Sequence, residues 1–328
     1  MNLGIIVNPF SGRDVRRVAA RASTSDHHEK QQQVTRLVLG AFSTGVERIF
    51  LANEPFRINE KAVENLPVRD QVEILRFKLE HSAEDTRTMC RQMWNAGCRV
   101  FIVLGGDGTS RIVASEIPNA TILPLSTGTN NVFPYRLEAS VAGAAAGLIA
   151  SDTVAADSCI RCKRVHIEYG DDKETALIDA VLLRNDFLGS LLPFNSENLD
   201  TIVLTRAEPA SIGISPIGGY ILPCGFHDDF GVMVKCNENT AHKINVPISP
   251  GLHQYVGIKE TIPLDFNLKS EISGPGIIAV DGDRIIKLDE QQSANVFILR
   301  DGPRVIEAEK VMSHAAHNQL FDKSELPD

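Results

Sequence analysis

Val100-Phe101-Ile102-Val103-Leu104 runs directly into Gly105-Gly106-Asp107-Gly108-Thr109. The unbroken apolar run reads as a buried strand and the glycines after it as a turn, with Thr109–Ser115 the start of a helix. A strand that ends in a glycine-rich turn before a helix lies at the carboxyl edge of a parallel sheet, where open α/β folds bind ligands. Glycines let the backbone approach phosphate oxygens, and the helix N-terminus adds N–H groups and the positive end of a dipole. Asp107 stands among these glycines, where it can accept a hydroxyl proton or hold a metal; in a plain tight turn it would only cap the helix.

Working outward, Leu3–Val7 is another apolar run and ends in Asn8-Pro9-Phe10-Ser11-Gly12, a strand followed by a turn. Residues 29–43 suit a helix, and Val46–Leu51, Gln71–Leu75 and Ala120–Leu123 suit strands. Ser82-Ala83-Glu84-Asp85 opens a further helix with a side-chain cap and early acids, and Gly97 closes it. Strands alternating with helices argue for a parallel sheet covered on both faces. After the alanine-rich helix Ala139–Ala150 the texture changes to short strand-like runs broken by Gly and Pro: Val165–Tyr169, Ala176–Leu183, Thr201–Thr205, Gly231–Lys235, Ile277–Val280, Arg284–Leu288 and Asn295–Leu299. The expected fold class is therefore α/β, with a parallel-sheet nucleotide-binding domain over residues 1–150 and an antiparallel β-sandwich domain over 151–300. Residues 301–328 form a C-terminal segment, with a helix over Ile306–Leu320, that returns toward the first domain.

The 328 residues are 43% hydrophobic and 23% charged, with a formal net charge of -9 and no polybasic block. A nucleic acid or an anionic membrane surface is thus not an expected partner, since both select a clustered positive face. Phosphate ligands remain open, because backbone N–H groups and Mg²⁺ can hold them. The N-terminal apolar run is too short for a secretory signal and no window approaches a membrane span, so a cytoplasmic location is expected. Cys159-Ile160-Arg161-Cys162 is a lone pair without zinc-site spacing and reads as free thiols. The patch His27–Gln33 reads as a solvated helix start, and His227-Asp228-Asp229 as a solvated loop.

Four segments in order resemble the ATP-NAD kinase superfamily, which joins the NAD kinases and the diacylglycerol-type kinases. They are Asn8-Pro9-Phe10-Ser11-Gly12, Gly105–Thr109, Pro124-Leu125-Ser126-Thr127-Gly128-Thr129-Asn130-Asn131, and Val280-Asp281-Gly282. The wording of the third, with Ile217-Gly218-Gly219-Tyr220 later, is most similar to the acetoin catabolism protein X branch. The resemblance implies ATP and Mg²⁺, with NAD as the second substrate, and a homo-oligomer, dimer or tetramer. It implies that Asn8, Ser11, Gly12, Gly105, Gly106, Gly108, Thr109, Thr127, Gly128, Asn130 and Asn131 hold nucleotide phosphates, with Asp107 as the base. No protein cage for a metal is expected, Mg²⁺ entering with the nucleotide, and Arg13, Arg111 and Arg136 are the nearby cations.

On the acceptor side the resemblance points to Asn185 and Asp186, and to Ser215 and Tyr220 within the Ser211–Tyr220 segment. Asn185-Asp186 also reads as a strand-end turn. Gly218 and Gly219 replace hydroxyl residues of the NAD kinases, a loss on the acceptor side. Asp281 and Asp283 fit either a second base, as in the lipid kinases, or a plain β-turn between two strands. Three functions follow: a kinase acting on the adenosine ribose of NAD to give NADP, a lipid or small-alcohol kinase, or a nucleotide-binding accessory protein of acetoin catabolism.

Overall fold

The structure, a computed structural model, describes residues 1–11, 26–127, 131–190, 192 and 194–322. Strands and helices alternate through the first part: β1 (Asn2–Val7), α1 (His27–Phe42), β2 (Arg48–Ala52), α2 (Ile58–Val63), β3 (Val72–Leu75), α3 (Ala83–Asn95), β4 (Val100–Gly105), α4 (Asp107–Glu116), β5 (Thr121–Ser126) and α5 (Ala139–Ala150). Then come β6 (Ile160–Arg161), β7 (Arg164–Tyr169), β8 (Asp172–Ala176), β9 (Asp179–Leu183), β10 (Leu199–Leu204), α6 (Ser215–Gly219), β11 (Phe230–Cys236) and β12 (Lys243–Ser249). The chain ends with β13 (Leu252–Asp265), β14 (Ser270–Ser273), β15 (Gly276–Val280), β16 (Asp283–Leu288), β17 (Ser293–Leu299), β18 (Arg304–Val305) and α7 (Ala308–His317).

The first sheet has the order β3-β2-β1-β4-β5-β18-β6, parallel throughout except for the final antiparallel pair. Every residue of β4 is buried, which is why its sequence is an apolar run rather than an alternation. One face packs on α1, α5 and α7 through Leu37, Ala142 and Val311, and the other on α3 and α4 through Met93 and Val113. Asp26 caps α1 by accepting from the Glu29 N–H at 2.7 Å, and Ser82 caps α3 by accepting from Glu84 at 3.2 Å.

The second part is a sandwich of two sheets, β12-β13-β11-β10-β9-β15-β16 and β14-β17-β7-β8. Val165, Ile167, Val203, Met233, Val296 and Ile298 fill the space between them. Two expectations change here. Ala176–Leu183 is not one strand: it breaks at Leu177-Ile178, whose N–H groups turn to the Asp281 carboxylate at 2.8 Å each. The long hairpin β12–β13 was hidden by prolines; Pro247 sits on the edge strand, where a missing N–H is tolerated. Among the described residues no helix is long and apolar enough to cross a membrane.

The first domain depends on a close helix crossing. A Cβ on Gly40 would collide with the Ser140 carbonyl oxygen, and one on Gly143 with that of Leu37, so α1 and α5 touch backbone to backbone. Backbone cannot rotate aside as a side chain can. Gly143→Val is therefore expected to destabilise the protein by at least about 1–3 kcal/mol, measured by urea unfolding, with Val141→Ala on the exposed side of α5 as a near-neutral control.

Candidate active site

The loops that leave the carboxyl ends of β1, β4 and β5 are wired to one another through Asn8 and Ser11. Asn8 Oδ1 accepts from the N–H groups of Phe10 (2.9 Å) and Ser11 (3.2 Å), and its Nδ2 donates to Thr109 Oγ1 at 2.8 Å. Thr127 Oγ1 in turn donates to Ser11 Oγ at 2.9 Å. Gly105 is required because a Cβ there would lie 2.6 Å from the Thr109 Cβ. Gly108 is different: a Cβ would lie 3.5 Å from the Asp283 carboxylate, in ordinary contact across the cleft. Gly12, Gly128, Asn130 and Arg13 lie outside the described residues. Lys30 corrects the reading of His27–Gln33 as a solvated start: it is fully buried, and its ammonium donates to the carbonyl oxygens of Asn8, Pro9 and Ser11.

Asp107 is the first residue of α4. Its Oδ1 accepts from Phe133 N–H at 2.8 Å and Val132 N–H at 3.2 Å, while Oδ2 has only the shared Val132 contact at 3.1 Å. It thus holds the loop after β5 in place and keeps one oxygen lightly engaged. Burial raises its pKa to about 7; the Phe133 and Val132 N–H groups oppose the rise and the nearby Asp281 charge adds to it.

The second domain brings its own carboxylates to the same place. Asp281 (φ 46°) and Gly282 (φ 86°) form a turn between β15 and β16, so the turn and the site coincide. The Asp281 carboxylate accepts three N–H groups, those of Leu177, Ile178 and Asp179. Arg111 of α4 reaches across to Asp283 at 2.8 Å and lies 3.7 Å from Asp281. It is an inter-domain tie rather than an open phosphate contact; Arg136 is exposed. Asp179, at the start of β9, is 8% exposed and its Oδ1 has no hydrogen-bond partner. Burial, and then the charges of Asp281, Asp107 and Asp283, push its pKa well above the carboxylate range.

These groups line a cleft of about 730 Å³, within the roughly 300–1,000 Å³ of small-molecule sites. Its walls combine Asn8, Ser11, Asp107 and Thr109 from the first domain with Asp179, Asp281, Asp283 and Arg284 from the second. Asn131 is also on the wall and donates to Ser126 Oγ at 2.8 Å. The four residues expected on the acceptor side lie elsewhere. Asn185 is exposed, in a left-handed turn (φ 52°), and the Asp186 carboxylate is taken by Arg284 at 2.8 Å. Ser215 is buried, donating to the Arg206 carbonyl oxygen and accepting from the Glu208 N–H, and Tyr220 faces solvent at the end of α6. Gly218 and Gly219 are buried too; a Cβ on Gly219 would lie 2.7 Å from the Glu208 backbone, so close packing explains the glycines. The second domain lines the cleft instead with residues that include Ile212, Gly213, Ile214, Ile248, Ser249 and Asp179. The signal for Asp179 was a lone acid inside the apolar run Ala176–Leu183, which sequence reading passed over.

Other candidates are structural. His227 bonds Glu307 at 3.0 Å, Asp228 accepts from Gly225 N–H, and Asp229 pairs with Arg300. Cys159 and Cys162 are buried free thiols, and burial pushes Cys162 up to about 12. Among the described residues no group of three or more His, Cys, Asp or Glu side chains is placed to hold a metal ion.

The buried acids have a consequence for stability. A carboxyl group with a raised folded pKa binds its proton more tightly in the folded chain, so its contribution is full at low pH. It is lost as pH climbs above the unfolded value and through the folded one. The melting temperature is therefore expected to fall between pH 5 and pH 8. Asp179→Asn should flatten that fall and stabilise the protein at pH 8 by about 1–3 kcal/mol, the cost of a buried unsatisfied group. Calorimetry across this range checks it.

Residues 3–152 match the ATP-NAD kinase N-terminal domain, and residues 163–301 match the acetoin catabolism protein X C-terminal domain. Acetoin catabolism protein X of Cupriavidus necator is 30% identical over 335 residues, spanning 97% of this chain and 93% of that protein. The structure of yeast NADH kinase complexed with NADH is similar over 100% of this chain and 89% of its own, with a TM-score of 0.55 at 13% identity, a likeness of fold. The two matched domains, the full-length relative and the shared architecture agree: the chain belongs to the acetoin catabolism protein X branch of the ATP-NAD kinase superfamily.

Proposed function

We infer that the cleft binds ATP and NAD and that the chain transfers a phosphoryl group to a hydroxyl of the adenosine ribose, giving NADP. The observation that carries the reading is the placement of Asp107, with one lightly engaged oxygen, on a cleft wall opposite Asp179 and Asp283 of the other domain. Phosphoryl transfer asks the protein mainly for positioning and charge neutralisation. In this reading the loops after β1, β4 and β5 position the phosphates, Gly12, Gly128 and Asn130 included. Asp107 accepts the proton of the attacking hydroxyl. Asp179, whose Oδ1 lacks a donor, orients the acceptor by receiving one of its hydroxyl protons in a hydrogen bond. Asp281 shapes the turn, and Asp283 holds Arg111. Asn185, Asp186, Ser215 and Tyr220 then act indirectly, Asp186 by fixing Arg284 at the cleft wall. Mg²⁺ would come with the nucleotide and supply charge neutralisation of the triphosphate; of the cleft acids, Asp281 is committed to backbone N–H groups and Asp283 to Arg111. A cytoplasmic homo-oligomer belongs to the same proposal.

A second reading is a nucleotide-binding accessory protein with little turnover. It is favoured by the two N–H groups that already occupy the Asp107 carboxylate. The apolar part of the acceptor wall, Ile212, Ile214 and Ile248, also leaves a lipid or small alcohol as acceptor to be tested. The discriminating experiment incubates the purified chain with ATP and Mg²⁺ and, separately, NAD, diacylglycerol and small polyols. NADP formation supports the first reading; binding of ATP and NAD without any phosphorylated product supports the accessory one.

Two outcomes follow from the first reading. Asp107→Asn keeps an acceptor for the Val132 and Phe133 N–H groups, so the fold should persist while kcat falls by about 10²–10⁴-fold. A base must be deprotonated to act, so with a pKa of about 7 the wild-type kcat should rise with pH through that value and level off above it. A flat profile from pH 5.5 to 8.5 would remove Asp107 as the base.

A further inference from the structure

We propose that Phe10, backed by Phe56 and His27, forms an aromatic platform at the rim of the cleft on which the base of the phosphate-donor nucleotide stacks. The inference rests on the nucleotide-binding reading above and adds what that reading leaves open, the place of the base.

Three rings from three separate elements converge beside the phosphate loops. Phe10 follows Asn8-Pro9 in the loop after β1, Phe56 lies in the connection between β2 and α2, and His27 is the first residue of α1. His27 is stacked on Phe56, with centroids 3.9 Å apart and planes inclined by 29°. Phe10 meets Phe56 edge to face, at 5.5 Å and 74°. Yet the two phenylalanines remain 49% and 38% exposed. Single exposed apolar side chains are ordinary on a protein surface, whereas adjacent rings held together on the wall of a cleft mark a place for a ligand.

The backbone holds both rings by the same device. Each phenylalanine donates its N–H to the side chain two residues earlier, Phe10 to Asn8 Oδ1 at 2.9 Å and Phe56 to Glu54 Oε2 at 2.8 Å. Asn8, Phe10, Glu54 and Pro55 all line the cleft. The rings are therefore set in position before a ligand arrives, which lowers the ordering cost of binding. The loop that carries Phe10 is also the one whose Asn8 and Ser11 are bonded to Thr109 and Thr127. In a nucleotide one ribose separates the phosphates from the base, and here Phe10 adjoins Ser11. An aromatic face stacks on a base without needing a hydrogen-bond partner. Because the platform belongs to the first domain, while Ile212, Ile214 and Asp179 line the cleft from the second, it serves the phosphate-donor nucleotide rather than the acceptor.

The test is calorimetric binding of ATP and of inorganic tripolyphosphate, each with Mg²⁺, and of NAD, to the full-length protein and its Phe10 variants. Phe10→Ala should weaken ATP by about 5–100-fold, the worth of stacking one base on a ring, and tripolyphosphate and NAD by no more than about 2-fold. Phe10→Tyr keeps the ring and should bind ATP within about 2–3-fold of wild type, whereas Phe10→Leu keeps apolar bulk without the aromatic face and should fall with Phe10→Ala. The side chain is half-exposed, so these variants should fold; if Phe10→Ala does not, Phe10→Leu decides. Unchanged ATP affinity in Phe10→Ala, an equal loss of ATP and tripolyphosphate, a loss for NAD as large as that for ATP, or full affinity in Phe10→Leu would each overturn the platform while leaving nucleotide binding in place. Failure of wild type to bind either ATP or tripolyphosphate overturns the nucleotide reading itself.

Discussion

The bond from Arg111 to Asp283 is the constraint on which the cleft depends. Arg111 belongs to α4, the helix that begins with Asp107, and Asp283 begins β16 in the other domain. Because both ends sit next to the acids that line the cleft, the ion pair sets the separation of the two walls as well as their attraction. Its geometry is close and the arginine is only 12% exposed, so it is better placed than a surface pair to hold that separation. Asp281 extends the constraint inward. Its carboxylate accepts the N–H groups of the break between β8 and β9, and so fixes where β9, and with it Asp179, begins.

Much of the first domain was legible because its signals are local. A fully buried parallel strand is an apolar run, and the glycines and Asn-Pro turn that follow such runs mark the carboxyl edge of the sheet. The helix over 139–150 was found to the residue from its run of alanines, and in the structure Glu138 caps it by accepting from the Ser140 and Val141 N–H groups. What escaped was set by contacts distant in sequence. Asp179 looks like a flaw in a strand until Asp281, about a hundred residues later, bends the chain at that point. Lys30 looks like one polar residue among many on a helix start until the Asn8 loop is folded over it. The β12–β13 hairpin was obscured by Pro247, which local propensity counts against a strand and edge position permits.

The site also shows why the acceptor side resisted reading by motif. Asn185, Asp186 and Tyr220 have the chemistry expected of a binding surface, yet one is exposed in a turn, one is paired with Arg284, and one faces solvent. The wall that does face the cleft sets Ile212, Gly213, Ile214 and Ile248 beside Asp179, Asp281 and Asp283, and the apolar residues among them have a chemistry that says little and a shape that says much. Apolar contour with a few polar groups is the usual make-up of small-molecule sites.

The strand pair β6–β18 gives the fold a directionality in time. The chain leaves the first sheet at Arg161 and re-enters it at Arg304, and the two crossings lie side by side as antiparallel neighbours. The sandwich is thus an insertion within the α/β domain rather than an appendage to it. During synthesis, β1 to β5 emerge with one sheet edge open and with the site for α7 on α5 uncovered. Neither can be filled until the whole of the sandwich has been translated. The nascent first domain therefore waits, incomplete, for its own last residues, and the interval during which its edge is exposed is set by the length of the domain inserted into it.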